Sequence, residues 1–105
     1  MNQYVSQILS ETHILYAYQS SSLPPGKSNY GSRIHVDSPR FITNYCTNIG
    51  VIFPLDNFTL ENGATHVLAG SHTSESIDEA NFHRNASRAV CNAGDMILFH
   101  GRTWH

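Results

Sequence analysis

The sequence predicts an all-β core preceded by a short N-terminal helix. Two observations carry this reading. Helical periodicity is confined to the start of the chain, and from Arg33 onward short apolar runs alternate with turn formers at roughly ten-residue spacing, the signature of a β-sandwich or barrel. The length of 105 residues suits one domain and no more. Residues 1–105 are therefore read as one domain, with a helix, a strand and a loop in 1–32 and the β core in 33–105.

The elements follow in order. From Asn2 to Thr12, the side chains Tyr4, Val5, Ile8 and Leu9 form one helical apolar stripe. Ile14 to Tyr18 reads as a strand, since aromatic and branched residues favour a pleated surface. Ser20 to Gly31 is a loop rich in Ser, Pro, Gly and Asn. Phe41 to Cys46 and Ile49 to Leu55 are the next strands, the second apolar enough for burial on both faces. Asp56 to Gly63 is a loop ending in an Asn-Gly turn, Thr65 to Leu68 a short strand, and Gly70 to Ala80 a polar loop. Arg88 to Cys91 and Met96 to His100 are strands around a turn at Asn92 to Asp95. Gly63 and Gly94 are the glycines expected at positive φ, and Asp95 is placed to bond the turn backbone.

Composition narrows the function. Aromatic residues make up 10% of the chain, which argues against disorder. A net charge of -2 and six scattered Lys and Arg argue against a nucleic-acid partner. No apolar run approaches the roughly 18 residues that span a bilayer, and Met1 to Ser10 lacks the pattern of a signal peptide. A cytoplasmic protein is expected. Cys46 and Cys91 have no nearby Cys partner and are expected to be reduced, buried and inert. Seven histidines are many for this length and are the first pointer to chemistry.

Three positions stand out: His35, Asp37 and His105. Alternate residues of a strand face the same way, so His35 and Asp37 project an imidazole and a carboxylate from one face. A second imidazole from a later strand would complete a set of two His and one carboxylate. That set leaves three octahedral positions open and is associated with non-heme Fe(II) oxygenases. By itself, His-x-Asp also fits a strand-end histidine beside a solvated aspartate.

The surrounding text adds to it. Ile34 to His105 resembles the phytanoyl-CoA dioxygenase family of Fe(II)- and 2-oxoglutarate-dependent oxygenases. The resemblance rests on three segments: His35-Val36-Asp37; Leu55 to His72, similar to the family's L-D-x-F-T-x-x-N-G-A-T … P-G-S-H stretch; and Ala93 to His105, similar to its Gly-Asp strand leading into the distal metal histidine. It implies a double-stranded β-helix, the cupin-like jelly roll. It implies His35, Asp37 and His105 as iron ligands, with Fe(II) as cofactor and 2-oxoglutarate as cosubstrate. His100 is the rival third ligand; the family pattern puts the metal on the second histidine of the segment, leaving His100 packed nearby.

Further roles follow from the same likeness. Phe53 falls where relatives carry an aromatic residue near 2-oxoglutarate. Asn44, read from the strand pattern as an inward residue with Ile42 and Cys46 on its face, could turn an amide toward the cosubstrate, although an Asn at a strand edge is the better fit. His66 falls where relatives face the substrate pocket, and an exposed strand histidine fits as well. His72 is read as structural, and His13 and His83 as surface residues.

The implied reaction is hydroxylation of a small organic substrate by O₂, with release of succinate and CO₂. A halogenase is disfavoured because Asp37 keeps the carboxylate in place. Ala69 stands where the family has Pro. The family pattern also continues past the distal histidine to an Arg that binds 2-oxoglutarate through a bidentate pair. The chain is therefore expected to be a piece of a jelly roll incomplete at the C-terminus. The alternative is a non-catalytic fragment or pseudoenzyme lacking that Arg.

Overall fold

The computed structural model describes residues 2–105. They group into two compact units, Met1–Arg33 and Ile34–His105.

The first unit holds helix α1, Asn2–Leu9. The helix stops where Ser10 takes φ 78, with its N–H bonded back to the Ser6 carbonyl at 3.0 Å. Ile14 to Tyr18, expected as a strand, is not one. Among the described residues it pairs with nothing in a ladder, and Ile14, Leu15, Tyr16 and Tyr18 are all exposed. Strand propensity without a partner leaves backbone groups to water. The loop at 20–31 is as expected: Lys27 N–H closes a turn on the Pro24 carbonyl, and Asn29 bonds Ser21 and Ser22.

The second unit is β-rich, with two small antiparallel sheets. Strands β1 (Ile49–Ile52) and β4 (Ile97–His100) pair as Ile49↔His100, Gly50↔Phe99, Val51↔Leu98 and Ile52↔Ile97. Strands β2 (His66–Val67) and β3 (Ser87–Arg88) pair as His66↔Arg88 and Val67↔Ser87. Phe58 and Cys91 form a further bridge. Between β2 and β3 lies helix α2, Glu79–Asn85, which the sequence reading did not foresee. Asp78 caps it by accepting from the Ala80 and Asn81 N–H groups at 3.2 Å each. Phe82 on this helix is buried, with Ala64 and Leu68 from around β2.

Several expectations are corrected. Phe41 to Cys46 turns back instead of running as a strand: Tyr45 N–H bonds the Ile42 carbonyl at 3.3 Å and Asn44 sits at φ 58. Asn tolerates that left-handed region better than most residues. β1 is half-buried and stops before Pro54, which has no N–H to give a ladder. The strand expected at Arg88 to Cys91 lies earlier, with the bridge at Cys91 as its remnant. The Gly70 to Ala80 loop contains a 3-10 turn at Ser71–Thr73. The left-handed glycines are Gly26, Gly70 and Gly94; Gly63 is not among them. No described helix is long and apolar enough to cross a membrane.

Candidate metal centre

The segment after Arg33 and the segment after β4 run side by side. His35 N–H donates to the His105 carbonyl at 2.9 Å, and His105 N–H donates to the His35 carbonyl at 3.0 Å. Farther along, Ser38 N–H donates to the Gly101 carbonyl at 2.8 Å. These bonds put His35, Asp37 and His105 into one cluster, with potential ligand atoms all within 4.8 Å of one another. His35 Nε2 lies 3.7 Å and His105 Nε2 3.8 Å from the same oxygen of Asp37. The two imidazole rings are 4.4 Å apart.

The orientation of His105 is fixed from behind. Its Nδ1–H donates to the Thr103 carbonyl at 2.8 Å, which leaves Nε2 facing Asp37. The Phe99 ring meets it edge-on at 4.8 Å. Phe99 in turn lies over Gly50, its ladder partner; a Cβ on Gly50 would overlap the ring. Asp37 is the open side of the cluster, with its side chain 39% exposed against 8% for His105. A ligand set with one wet edge and a dry back can bind a cation and still admit other ligands.

His100 is placed apart from this set. Among the described residues, no group of three possible metal donors includes it. Its Nδ1 accepts from Arg102 N–H at 3.0 Å, and its ring lies 5.1 Å from that of His72. Burial, and then the neighbouring His72 and Arg102 charges, hold its pKa below the ordinary histidine value. Burial pushes the Cys46 thiol up, and both cysteines are free.

The outer expectations are located as follows. Asn44 stands exposed in its turn, so the strand that was to aim its amide is absent. Phe53 lies just past β1, half exposed. His66 is exposed on β2, where its Nε2 accepts from Arg88 Nε at 2.9 Å. His13 bonds the Ser10 carbonyl and His83 faces Glu79, both at the surface.

Across its whole length, residues 1–105, the chain matches the family model described as phytanoyl-CoA dioxygenase (PhyH). The chain belongs to the phytanoyl-CoA dioxygenase family. It is 35% identical over 107 residues to an uncharacterized protein of Mycobacterium tuberculosis, covering 96% of this chain and 39% of that protein. An uncharacterized protein of Mycobacterium bovis matches to the same extent. The iron/alpha-ketoglutarate-dependent dioxygenase penM of Penicillium thymicola is 41% identical over 59 residues, covering 56% of this chain and 19% of that protein. This family member thus spans about two-fifths of the length of its mycobacterial relatives. No solved structure matches it.

Two supporting residues escaped the sequence reading. Ser71 is buried; its hydroxyl donates to the Leu68 carbonyl at 2.6 Å and accepts from Trp104 N–H at 2.9 Å. Leu68 N–H also donates to the Trp104 carbonyl, so the Gly70-Ser71-His72 turn clasps the residue beside His105. The second is Arg102, which is buried within the turn between His100 and His105. Its position inside the last histidine segment was the available signal.

Proposed function

We propose that this chain carries the metal centre of an Fe(II)- and 2-oxoglutarate-dependent dioxygenase, with His35, Asp37 and His105 as the ligands. The observation that carries the proposal is the convergence of two imidazoles and one carboxylate within 4.8 Å, with His105 Nδ1 tied to Thr103 so that Nε2 faces inward. The donor set fits the group: borderline nitrogen donors and one hard oxygen on one side suit Fe(II) with open positions. The name of the Penicillium thymicola relative, an iron/alpha-ketoglutarate-dependent dioxygenase, points to the same cofactor and cosubstrate.

Iron held there would supply the coupled oxidation in which 2-oxoglutarate and O₂ give succinate and CO₂ while a small organic substrate is hydroxylated. The chain's own share is binding and orientation. Asp37 supplies the negative charge that offsets the cation from the exposed edge. His35 and His105 supply neutral nitrogens, and the Thr103 carbonyl holds the His105 ring in its tautomer. Phe99 sets its ring edge against His105 on the side away from Asp37's exposed edge. The reading includes a jelly-roll architecture for the domain and a reducing, cytoplasmic setting, in keeping with the two free cysteines.

The test is anaerobic addition of Fe(II) and then 2-oxoglutarate to the full chain, followed by equilibrium dialysis and visible absorption. Retention of about one iron per chain, with a charge-transfer band on adding the keto acid, supports the reading. Iron that dialyses away from wild type and from Asp37→Ala alike overturns it.

A further inference from the structure

Arg102 is only 4% exposed, and no carboxylate pairs with it among the described residues. A buried guanidinium without an ion partner is costly unless its donors are taken up by other groups. Here main-chain carbonyls take them. Nη1 donates to Ser38 at 3.1 Å, and Nη2 donates to Ser74 and Glu75, both at 3.0 Å. The guanidinium carbon lies 5.3 Å from the Phe41 ring and 5.9 Å from the Trp104 ring. Its Nε and the Trp104 Nε1 are buried without an acceptor.

The identity of the first carbonyl matters most. Ser38 follows Asp37 directly. Its N–H already bonds the Gly101 carbonyl, so Ser38 is held through both its main-chain groups by Gly101 and Arg102. The His35 and His105 main chains are joined to each other at the other end of the same short segment. Asp37 lies between these two anchors.

We propose that Arg102 is a positioning residue for the metal centre, setting the distance of the Asp37 carboxylate from His105 by gripping the main chain of Ser38. This role rests on the metal-binding reading above. The planar fork is required because one group must reach Ser38 on one side and Ser74 and Glu75 on the other; a lysine offers a single point of donation.

Co(II) titration of the full chain, read by its d–d absorption and by paramagnetic broadening of the histidine ring protons, tests this role. Four proteins are compared: wild type, Arg102→Lys, Asp37→Ala and the double variant. Arg102→Lys is expected to raise the Co(II) Kd by about 10- to 100-fold, the range for losing an outer support of a metal ligand, and to change the band shape. In the Asp37→Ala background the same substitution is expected to change Kd within about twofold, the scatter of independent sites, because no carboxylate is left to misplace. Arg102→Gln, which buries no charge, takes the place of Arg102→Lys if the latter does not fold. Equal losses in both backgrounds, or wild-type affinity in Arg102→Lys, overturn the positioning role alone. Wild type that binds no Co(II) overturns the metal reading and this role with it.

Discussion

His35 and His105 are hydrogen-bonded register partners: each donates its N–H to the other's carbonyl, at 2.9 and 3.0 Å. In an antiparallel pair of this kind the two side chains leave the backbone on the same face, with Cβ atoms about 5 Å apart. The rings meet at 4.4 Å, and Asp37, two residues along, reaches the same face. The cluster is therefore a consequence of backbone register, available before any metal arrives.

That register sorts the histidines by role. Asp37→Ala is expected to weaken Co(II) binding by at least about 100-fold, beyond the loss of an outer support, while the circular dichroism spectrum is unchanged. His105→Ala should do the same. His100→Ala, which lies outside the cluster, should keep binding within about threefold. A titration in which His100→Ala loses the metal and His105→Ala retains it would reverse the ligand assignment.

Ser71 supports the same segment from the opposite side. Ser71→Ala removes the acceptor of Trp104 N–H and leaves that donor buried. The expected cost is about 1–3 kcal/mol of stability, seen as a lower midpoint in urea with an unchanged slope. Wild-type stability in this variant would mean that Trp104 N–H finds another acceptor.

His66 gives a contrasting case. Its contact is the surface bond to Arg88, so His66→Ala is expected to shift stability by no more than about 0.5 kcal/mol and to leave Co(II) affinity alone. A large loss of metal would bring β2 into the site.

Of the His35, Asp37 and His105 grouping, only the local half was legible from spacing, because His105 arrives by pairing with a distant segment and was named from the family pattern. The His-x-Asp spacing puts two donors on one face of extended chain, and the last histidine segment supplies the third. The turn at Asn92 to Asp95 was legible for a similar reason: Asp95 accepts from Asn92 N–H at 2.7 Å, a bond within the turn itself. Ile14 to Tyr18 and Phe41 to Cys46 were misread because strand propensity says nothing of whether a partner lies alongside. Arg102 and Ser71 were missed because their partners are main-chain carbonyls and amides of distant segments, and such groups are the same in every residue. Helix α2 carried a readable cap at Asp78, but its few apolar residues leave little periodicity to notice.

His100 gives the folded protein a pH dependence. Its pKa is lowered in the fold by burial, and further by His72 and Arg102. Between that lowered value and the ordinary one, the unfolded chain binds more protons than the folded chain. Stability thus rises with pH through this window. The contribution is complete above the ordinary histidine value and is lost as pH falls toward the folded one. Metal-free urea melts across this range should show His100→Gln with a shallower slope against pH than wild type. Equal slopes would mean that other groups carry the dependence.

The back of the site depends on a residue with no side chain. Phe99 covers Gly50 across the β1–β4 ladder and touches the His105 ring with its edge. A methyl group at position 50 would occupy the space of the Phe99 ring. Gly50→Ala must therefore push Phe99 off its place, with an overpacking cost of about 1–3 kcal/mol. The displaced ring no longer steadies His105, so Co(II) affinity should fall along with stability. Gly50→Ala combined with Phe99→Leu makes room for the methyl group and should recover part of the stability. Because the ring edge is gone in that double variant, its metal affinity should stay low. Recovery of both properties together would show that Phe99 fills space beside His105 without orienting it.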